Sequence, residues 1–450
     1  MPHIPTNRVF NGVSGLGFIS LALGSSLLGW LFVGGIVLSV ARLAFITVLA
    51  LLETWRKKPT FDGIYQGLSV IVPAFNEAKV INKTIHSLLA SSVILEVIMV
   101  DDGSSDNTSA VVTAKFGANP RVKLFTLSNG GKARALNYGI KQANSEIVLL
   151  LDADTILASN APELLLRHFQ DDSVAAVAGN AKVGNRINLL TRWQALEYIT
   201  AQNLERRALA RLGCITVVPG AIGAWRREVI LAQGGFKTDT LAEDADLTMR
   251  LLREGYKISY EPLAYAYTEA PDTVSGFLKQ RFRWMFGTLQ AAFKQRDTLF
   301  QSRYQGLGWF AMPNVLVFQI LFPFISSLMD IAMLVQLAWV GLQNQYHPSS
   351  NPFSSVSHSL IYYGIFILVD ALAAVVAFSL EPGEDWKLLP WLFLQRFFYR
   401  QLMYFVAIKA ALAALGGGAV GWGTLERKAT VQNQAPNDQP SNSVIPDSGD

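Results

Sequence analysis

Leu95-Glu96-Val97-Ile98-Met99-Val100-Asp101-Asp102-Gly103-Ser104 is a short, mostly apolar run that stops at two acids and a turn. A run of this length and β-branched content, closed by Asp, Gly and Ser, reads as a buried strand. The same pattern recurs on both sides of it. Residues 68–72 form a strand ended by Pro73, and 77–90 carry Val80, Ile81, Ile85, Leu88 and Leu89 at helical spacing. Then 106–116 read as helix, 122–127 as strand, 132–143 as helix and 146–151 as strand. Strands alternating with helices of this length imply right-handed crossovers and a mostly parallel sheet covered on both faces, so the fold class is α/β.

In such a sheet, ligands bind beyond the carboxyl ends of the strands. Those ends carry Pro73-Ala74-Phe75-Asn76-Glu77, Asp101-Asp102-Gly103-Ser104 and Asp152-Ala153-Asp154. Acids gathered at one sheet edge repel one another unless they face cations or bound hydroxyls and amides, so a metal ion and a nucleoside are natural occupants. Residues 101–106 alone read equally well as a turn and helix N-cap; the second acid pair at 152 and 154 tips the balance. Neither a P-loop nor a Gly-x-Gly-x-x-Gly fingerprint is present. Asn129-Gly130-Gly131-Lys132 opens a helix after a strand instead, where two glycines admit a ligand to the backbone and Lys132 suits a diphosphate.

The chain around this middle stretch is membrane-like. Over 450 residues, 51% are hydrophobic and only 16% charged, which is too apolar for an ordinary soluble enzyme. A net charge of +4, with no basic stripe interleaved with aromatics, argues against nucleic acid and for lipid headgroups as partner. One cysteine, Cys214, excludes an intrachain disulfide and a cysteine metal cluster, leaving packing as its role. Residues 1–55 read as one or two N-terminal transmembrane segments, not as a cleaved leader, because the basic cluster Arg56-Lys57-Lys58 follows the apolar run. Residues 56–271 form the catalytic domain, 272–305 an amphipathic interfacial helix, 306–424 C-terminal transmembrane and interfacial helices, and 425–450 a disordered tail. Within 306–424, stretches 306–345 and 359–380 read as spans, and 388–422 as a span or an interfacial helix. Asp330 and Asp370, each alone in its stretch, are functional candidates, with a place at a bend as the structural alternative for Asp330 and pairing with a neighbouring helix as that for Asp370. Basic residues on both flanks of the middle stretch place residues 53–305 in the cytosol.

At these motifs the chain resembles the family 2 glycosyltransferases, and among them the processive membrane synthases of poly-N-acetylglucosamine, chitin, hyaluronan and cellulose. The likeness is strongest over residues 66–300 and is most specific to poly-β-1,6-N-acetylglucosamine synthases at 72–77, 130–133 and 220–227. It implies a GT-A type domain with transmembrane and interfacial helices. By position, it implies that Pro73, Ala74, Glu77 and Asp102 contact uridine, that Lys132 and Asp152 lie along the ribose and diphosphate, and that Asp154 ligates Mg2+ or Mn2+. Glu243-Asp244 stands where the family has Thr-Glu-Asp, with Ala242 in place of the Thr; Asp244 is the implied general base. Gln280-x-x-Arg283-Trp284 matches the Gln-x-x-Arg-Trp signature, with Arg283 clamping the diphosphate and Gln280 and Trp284 at the acceptor sugar. Trp193, Gln194 and Tyr198 are further candidates to touch the growing chain, whereas His86 and His168 read as structural.

The expected activity is inverting, processive transfer from a UDP-sugar, UDP-N-acetylglucosamine first, onto a β-linked polysaccharide acceptor that crosses the bilayer, with accessory export subunits as possible partners. The expected site is the inner, plasma membrane, multi-pass. The rivals are a non-processive transferase acting on a membrane lipid, which Gln280 to Trp284 disfavour, and an inactive export subunit, which the intact acids disfavour.

Overall fold

The computed structural model describes residues 30, 33–60, 65, 67–346, 357–416 and 428–431. Most of the first expected transmembrane stretch before residue 33, and the tail after residue 431, lie outside the described residues.

Helix α1 (Val33–Thr54) leads into an eight-stranded sheet. Its strands are β1 (Leu68–Ala74), β2 (Ile94–Asp101), β3 (Val122–Thr126), β4 (Ile147–Leu150), β5 (Ile156–Leu157), β6 (Val174–Val183), β7 (Gly223–Arg226) and β8 (Lys257–Thr268), in spatial order 3-2-1-4-7-6-8-5. The half built from β3, β2, β1 and β4 is parallel, as expected. Beyond it β7 runs antiparallel to both β4 and β6, β6 and β8 are parallel, and β5 caps the edge antiparallel to β8. The helices of the domain are α2 (Ile81–Leu89), α3 (Thr108–Phe116), α4 (Lys132–Gln142), α5 (Ala161–Leu166), α6 (Leu189–Glu197), α7 (Leu204–Arg211), α8 (Arg227–Ala232), α9 (Glu243–Arg253) and α10 (Val274–Lys294).

Strand period explains the two cores. Val70 and Val72, Val97 and Met99, and Ile147 and Leu149 pack on one face, while Ile71, Ile98, Val100, Val148 and Leu150 pack on the other. Each such side chain is worth roughly 1.5–3 kcal/mol when buried, so a one-residue slip would be prohibitive on both faces.

Among the described residues, three helices are long and apolar enough to cross a membrane: Val33–Thr54, Leu307–Leu342 and Leu360–Ser379. Both C-terminal ones are rooted in the domain at one end. Gly306 abuts Cys214, a buried free thiol whose pKa burial pushes up to about 12. At the other root, Glu381 accepts from Arg207 of α7 at 2.8 Å and pairs with Lys182 of β6, while Glu384 meets Lys182 at 2.8 Å and Arg186 at 2.9 Å. The pair leaves the domain and returns to it.

The stretch 388–422 left open above is a bent pair, Trp386–Phe397 and Tyr399–Leu415, with 51° between the arms. The first arm lies on α6, where the Trp193 indole donates to the Trp391 carbonyl at 3.0 Å. The second lies along α10, with the Lys409 ammonium 5.1 Å from the centre of the Phe282 ring. Asp330 and Asp370 are paired: Gln401 donates to Asp330 at 2.8 Å, and Asp370 meets Arg396 at 2.8 Å and Arg400 at 2.6 Å. The expectation of a disordered tail from 425 needs one correction. The amides of Lys428 and Ala429 and the Thr430 hydroxyl donate to Glu269 at 3.0, 3.1 and 2.9 Å, because that carboxylate at the end of β8 offers both oxygens to a passing backbone.

Candidate active site

The ends of β1 and β2 are tied together by their own turn residues. Asn76 adopts φ of 60° and its side-chain oxygen accepts from the Ser105 amide at 2.8 Å, while the Glu77 amide donates to Thr108 at 2.9 Å. Asp101 caps Ser104 at 2.9 Å. Asp102 accepts from the amides of Gly130 at 3.0 Å and Gly131 at 2.7 Å, so its carboxylate shapes the glycine turn that opens α4. Gly131 has φ of +89°, in the left-handed region, with open space where a side chain would stand.

Directly after that turn, Lys132 donates to Asp152 at 2.6 Å and pairs with Glu243 at 3.4 Å. Gly220 makes room for this contact, since a Cβ there would lie 2.6 Å from the lysine nitrogen. Burial opposes its charge, but Asp152, Glu243 and Asp244 outweigh burial and hold the ammonium protonated above its ordinary range. A cleft opens here, walled by Pro73, Lys132, Asp152, Gly220, Trp225, Glu243 and Asp244. Glu243 and Asp244 form the first turn of α9, where the helix N-terminus favours negative charge. Asp244 is half-buried, and its carboxyl is pushed up to about 6 by burial and by Glu243, against the pull of Lys132.

The structure thus brings Pro73, Lys132, Asp152, Glu243 and Asp244 into one cleft. Ala74 ends β1 in the core beside it, and Glu77 follows the Asn76 turn. Asp154 is buried behind Asp152 and accepts from Thr155 at 3.2 Å and Thr268 at 3.5 Å. Gln280, Arg283 and Trp284 are not among the residues that wall the cleft; they lie on α10, with Gln280 buried and the other two half-buried. The buried guanidinium of this helix is Arg281. It pairs with Glu197 at 2.8 Å, donates to the Tyr399 hydroxyl at 3.3 Å and lies 4.4 Å from the centre of the Trp284 ring. Burial disfavours its charge, yet Glu197 and the tyrosines raise its pKa. Sequence reading missed this group, although Arg281 stands four residues after Phe277 and three before Trp284, the spacing at which helical side chains meet.

Of the candidates for the growing chain, Tyr198 lies 6.5 Å from Trp284, ring to ring. Trp193 and Gln194 are instead committed to packing: Trp193 stacks on Phe398, and Gln194 donates to the Pro271 carbonyl at 2.7 Å. His168 meets buried Glu261 at 2.8 Å and His86 packs edge-on against Phe116, both structural as expected.

Among the described residues no three His, Cys, Asp or Glu side chains converge as a ready metal cage. Asp152 offers a hard oxygen at the cleft wall and Asp154 lies buried two residues on, a donor set that fits a cation taking only one or two carboxylates from protein and the rest from substrate phosphates.

Sheet order, the acid-lined carboxyl edge and the appended helices define a GT-A glycosyltransferase fold. Residues 66–287 match the model described as glycosyltransferase like family 2, and this stretch is a family 2 glycosyltransferase domain. Over 234 residues the chain is 33% identical to poly-beta-1,6-N-acetyl-D-glucosamine synthase of Staphylococcus aureus, covering 51% of this chain and 57% of that protein. It is 34% identical over 225 residues to the synthase of the same name from Staphylococcus epidermidis, covering 49% and 54%. The chain spans about half the length of the curated relatives it matches. A mannosyltransferase of Pyrobaculum calidifontis, solved with GDP-Man and Mn2+, has a TM-score of 0.61 at 20% identity, covering 87% of this chain and 100% of that one; this likeness is one of fold.

Proposed function

We propose that the chain is an inverting glycosyltransferase of the membrane that uses UDP-N-acetylglucosamine and extends a β-linked poly-N-acetylglucosamine, passing it toward the far side. The observation that carries the reading is the single cleft holding Lys132, Asp152, Glu243 and Asp244, together with the synthases to which the domain is similar. Asp244 takes the proton of the acceptor hydroxyl. The freed oxygen pair attacks the anomeric carbon, the bond from that carbon to the diphosphate breaks, and UDP leaves with its electrons. One displacement turns an α-linked donor into a β-linked product. A carboxylate base in reach of the hydroxyl contributes roughly 10²- to 10⁴-fold.

Lys132 offers the departing diphosphate a fixed positive charge, and Asp102 holds the Gly130 and Gly131 amides where the diphosphate approaches α4. Asp154, with Asp152, is the pair that would hold Mg2+ or Mn2+, which when bound neutralises charge on UDP. Trp284 supplies a flat ring for the acceptor sugar, with Arg281 beneath it. Two apolar helices rooted at Gly306 and Glu381 support a membrane setting with the domain in the cytosol, where nucleotide sugars occur.

The test is purified protein given a panel of labelled UDP-sugars, followed by sizing and linkage of the product. Long β-linked N-acetylglucosamine chains are expected, while single-sugar lipids would favour the non-processive rival. Asp244→Asn should stop transfer and keep UDP binding; transfer that survives would move the base elsewhere.

A further inference from the structure

The helix that leaves the active site toward the membrane is irregular at one place. Between α6 and α7, residues Tyr198–Asn203 wind as a π-helix, a form found mostly as short insertions at functional positions. The segment begins at Tyr198, beside Trp284, and packs against the Leu360–Ser379 helix. It therefore runs from the proposed acceptor ring to the foot of a candidate span.

Three consecutive charges follow, and each points to a different partner. Glu205 pairs with Arg42 of α1 at 2.8 Å. Arg207 binds Glu381 at 2.8 Å and the Leu380 carbonyl at 2.6 Å. Arg206, between them, meets no carboxylate at ion-pair distance among the described residues. Its two bonds are long, 3.4 Å to the Asn203 oxygen and 3.4 Å to the Gln202 oxygen. A guanidinium carries five donors in a planar fork, and the two long, neutral contacts of this half-buried one leave donors available to water or a ligand. Burial pulls its pKa below the ordinary arginine range, while Tyr260, Tyr198, Asp244 and Glu205 act against that pull, so the proposed base is within its electrostatic reach.

We propose that Arg206 and Gln202 form a second saccharide subsite, which binds hydroxyl and amide oxygens of the β-linked chain after its terminal ring has stacked on Trp284. An oxygen-rich neutral ligand satisfies the free donors without burying a second full charge. Asn203 fixes the arginine in place: its amide nitrogen donates to Asn180 at 2.8 Å, and Asn180 donates to Glu381 at 2.9 Å, so the foot of the Leu360–Ser379 helix holds the subsite. The inference rests on the reading of the chain as an N-acetylglucosamine polymerase and adds the residues that hold its product.

The experiment uses the full chain in detergent, with UDP-N-acetylglucosamine as donor and β-1,6-linked N-acetylglucosamine oligosaccharides as acceptor probes. Arg206→Ala should raise the acceptor KM about ten-fold or more, the scale of a lost charged hydrogen bond, with donor KM and UDP affinity within about two-fold. Arg206→Lys should recover part of the loss, and Gln202→Ala should weaken long probes more than the disaccharide. Retained UDP affinity reports that each variant is folded; if Arg206→Ala loses it, Gln202→Ala decides the matter by the same comparison. An unchanged acceptor KM, or a loss confined to donor KM as for a diphosphate clamp, overturns the subsite. If the unaltered protein transfers nothing to these probes, the substrate reading has failed. Saturation-transfer NMR of the same oligosaccharides on unaltered and Arg206→Ala protein then still decides the subsite, which equal signals would overturn.

Discussion

The rate of sugar transfer should follow the ionisation of Asp244, and the structure says at what pH. Burial and Glu243 push this carboxyl up to about 6, with Lys132 pulling the other way. A base of that pKa is about 90% ionised at pH 7 and about 10% at pH 5, so kcat at saturating donor falls roughly ten-fold between those two values. A carboxylate at its ordinary value would lose almost nothing over the same range. The sign of each neighbour's effect gives two further expectations. Glu243→Gln removes a negative charge, lowers the pKa of Asp244 and shifts the acid limb to lower pH. Lys132→Met removes a positive charge, raises that pKa, shifts the limb to higher pH and leaves less base at neutral pH. The assay is the initial rate of labelled N-acetylglucosamine incorporation from about pH 5 to about pH 8, with thermal unfolding of each variant as the check on folding. An unaltered protein whose rate is flat down to pH 5, or two variants whose limbs move the same way, would refute the assignment.

Gly131→Ala places a side chain at φ of +89° and should cost about 1–2 kcal/mol of stability while weakening UDP binding, read by thermal unfolding and calorimetry. Arg281→Met leaves half-buried Glu197 with only the neutral Tyr399 and Gln202 as partners and should destabilise by about 1–3 kcal/mol in denaturant, with Arg281→Lys intermediate. Chelation should halt transfer and added Mn2+ or Mg2+ should restore it, whereas Asp154→Asn should need far more metal for the same rate.

The parallel half of the sheet was legible because its strands are rich in Val, Ile and Leu and are followed by punctuating residues, Pro73, Asp101-Asp102, Asn129-Gly130 and Asp152: β1, β2, β3 and β4 all lie where the alternation puts them. The second half was not. β6 reads Val-Ala-Ala-Val-Ala-Gly-Asn-Ala-Lys-Val, and alanine and glycine carry little strand signal; its place in the sheet is set by its backbone ladders to β7 and β8. Lys132, Asp152 and Asp244 could be placed at a site from sequence because strand ends and helix starts share one edge. That Lys132 joins Asp152 to Glu243 could not, since the partners are 20 and 111 positions away and meet only through the sheet crossing. Arg281 was hidden for a different reason: in a helix with four basic residues, Lys279, Arg281, Arg283 and Lys294, burial and not identity singles it out.

The ion pairs at Asp330 and Asp370 bear on how the chain is made. The two acids precede their partners in the chain, since Arg396, Arg400 and Gln401 are translated later. A lone carboxylate in hydrocarbon costs several kcal/mol, so in a bilayer the Leu307–Leu342 and Leu360–Ser379 helices would insert as a strained intermediate that matures when the bent pair arrives. A released chain truncated short of residue 396 should therefore be degraded sooner than one that continues through the bent pair to residue 416.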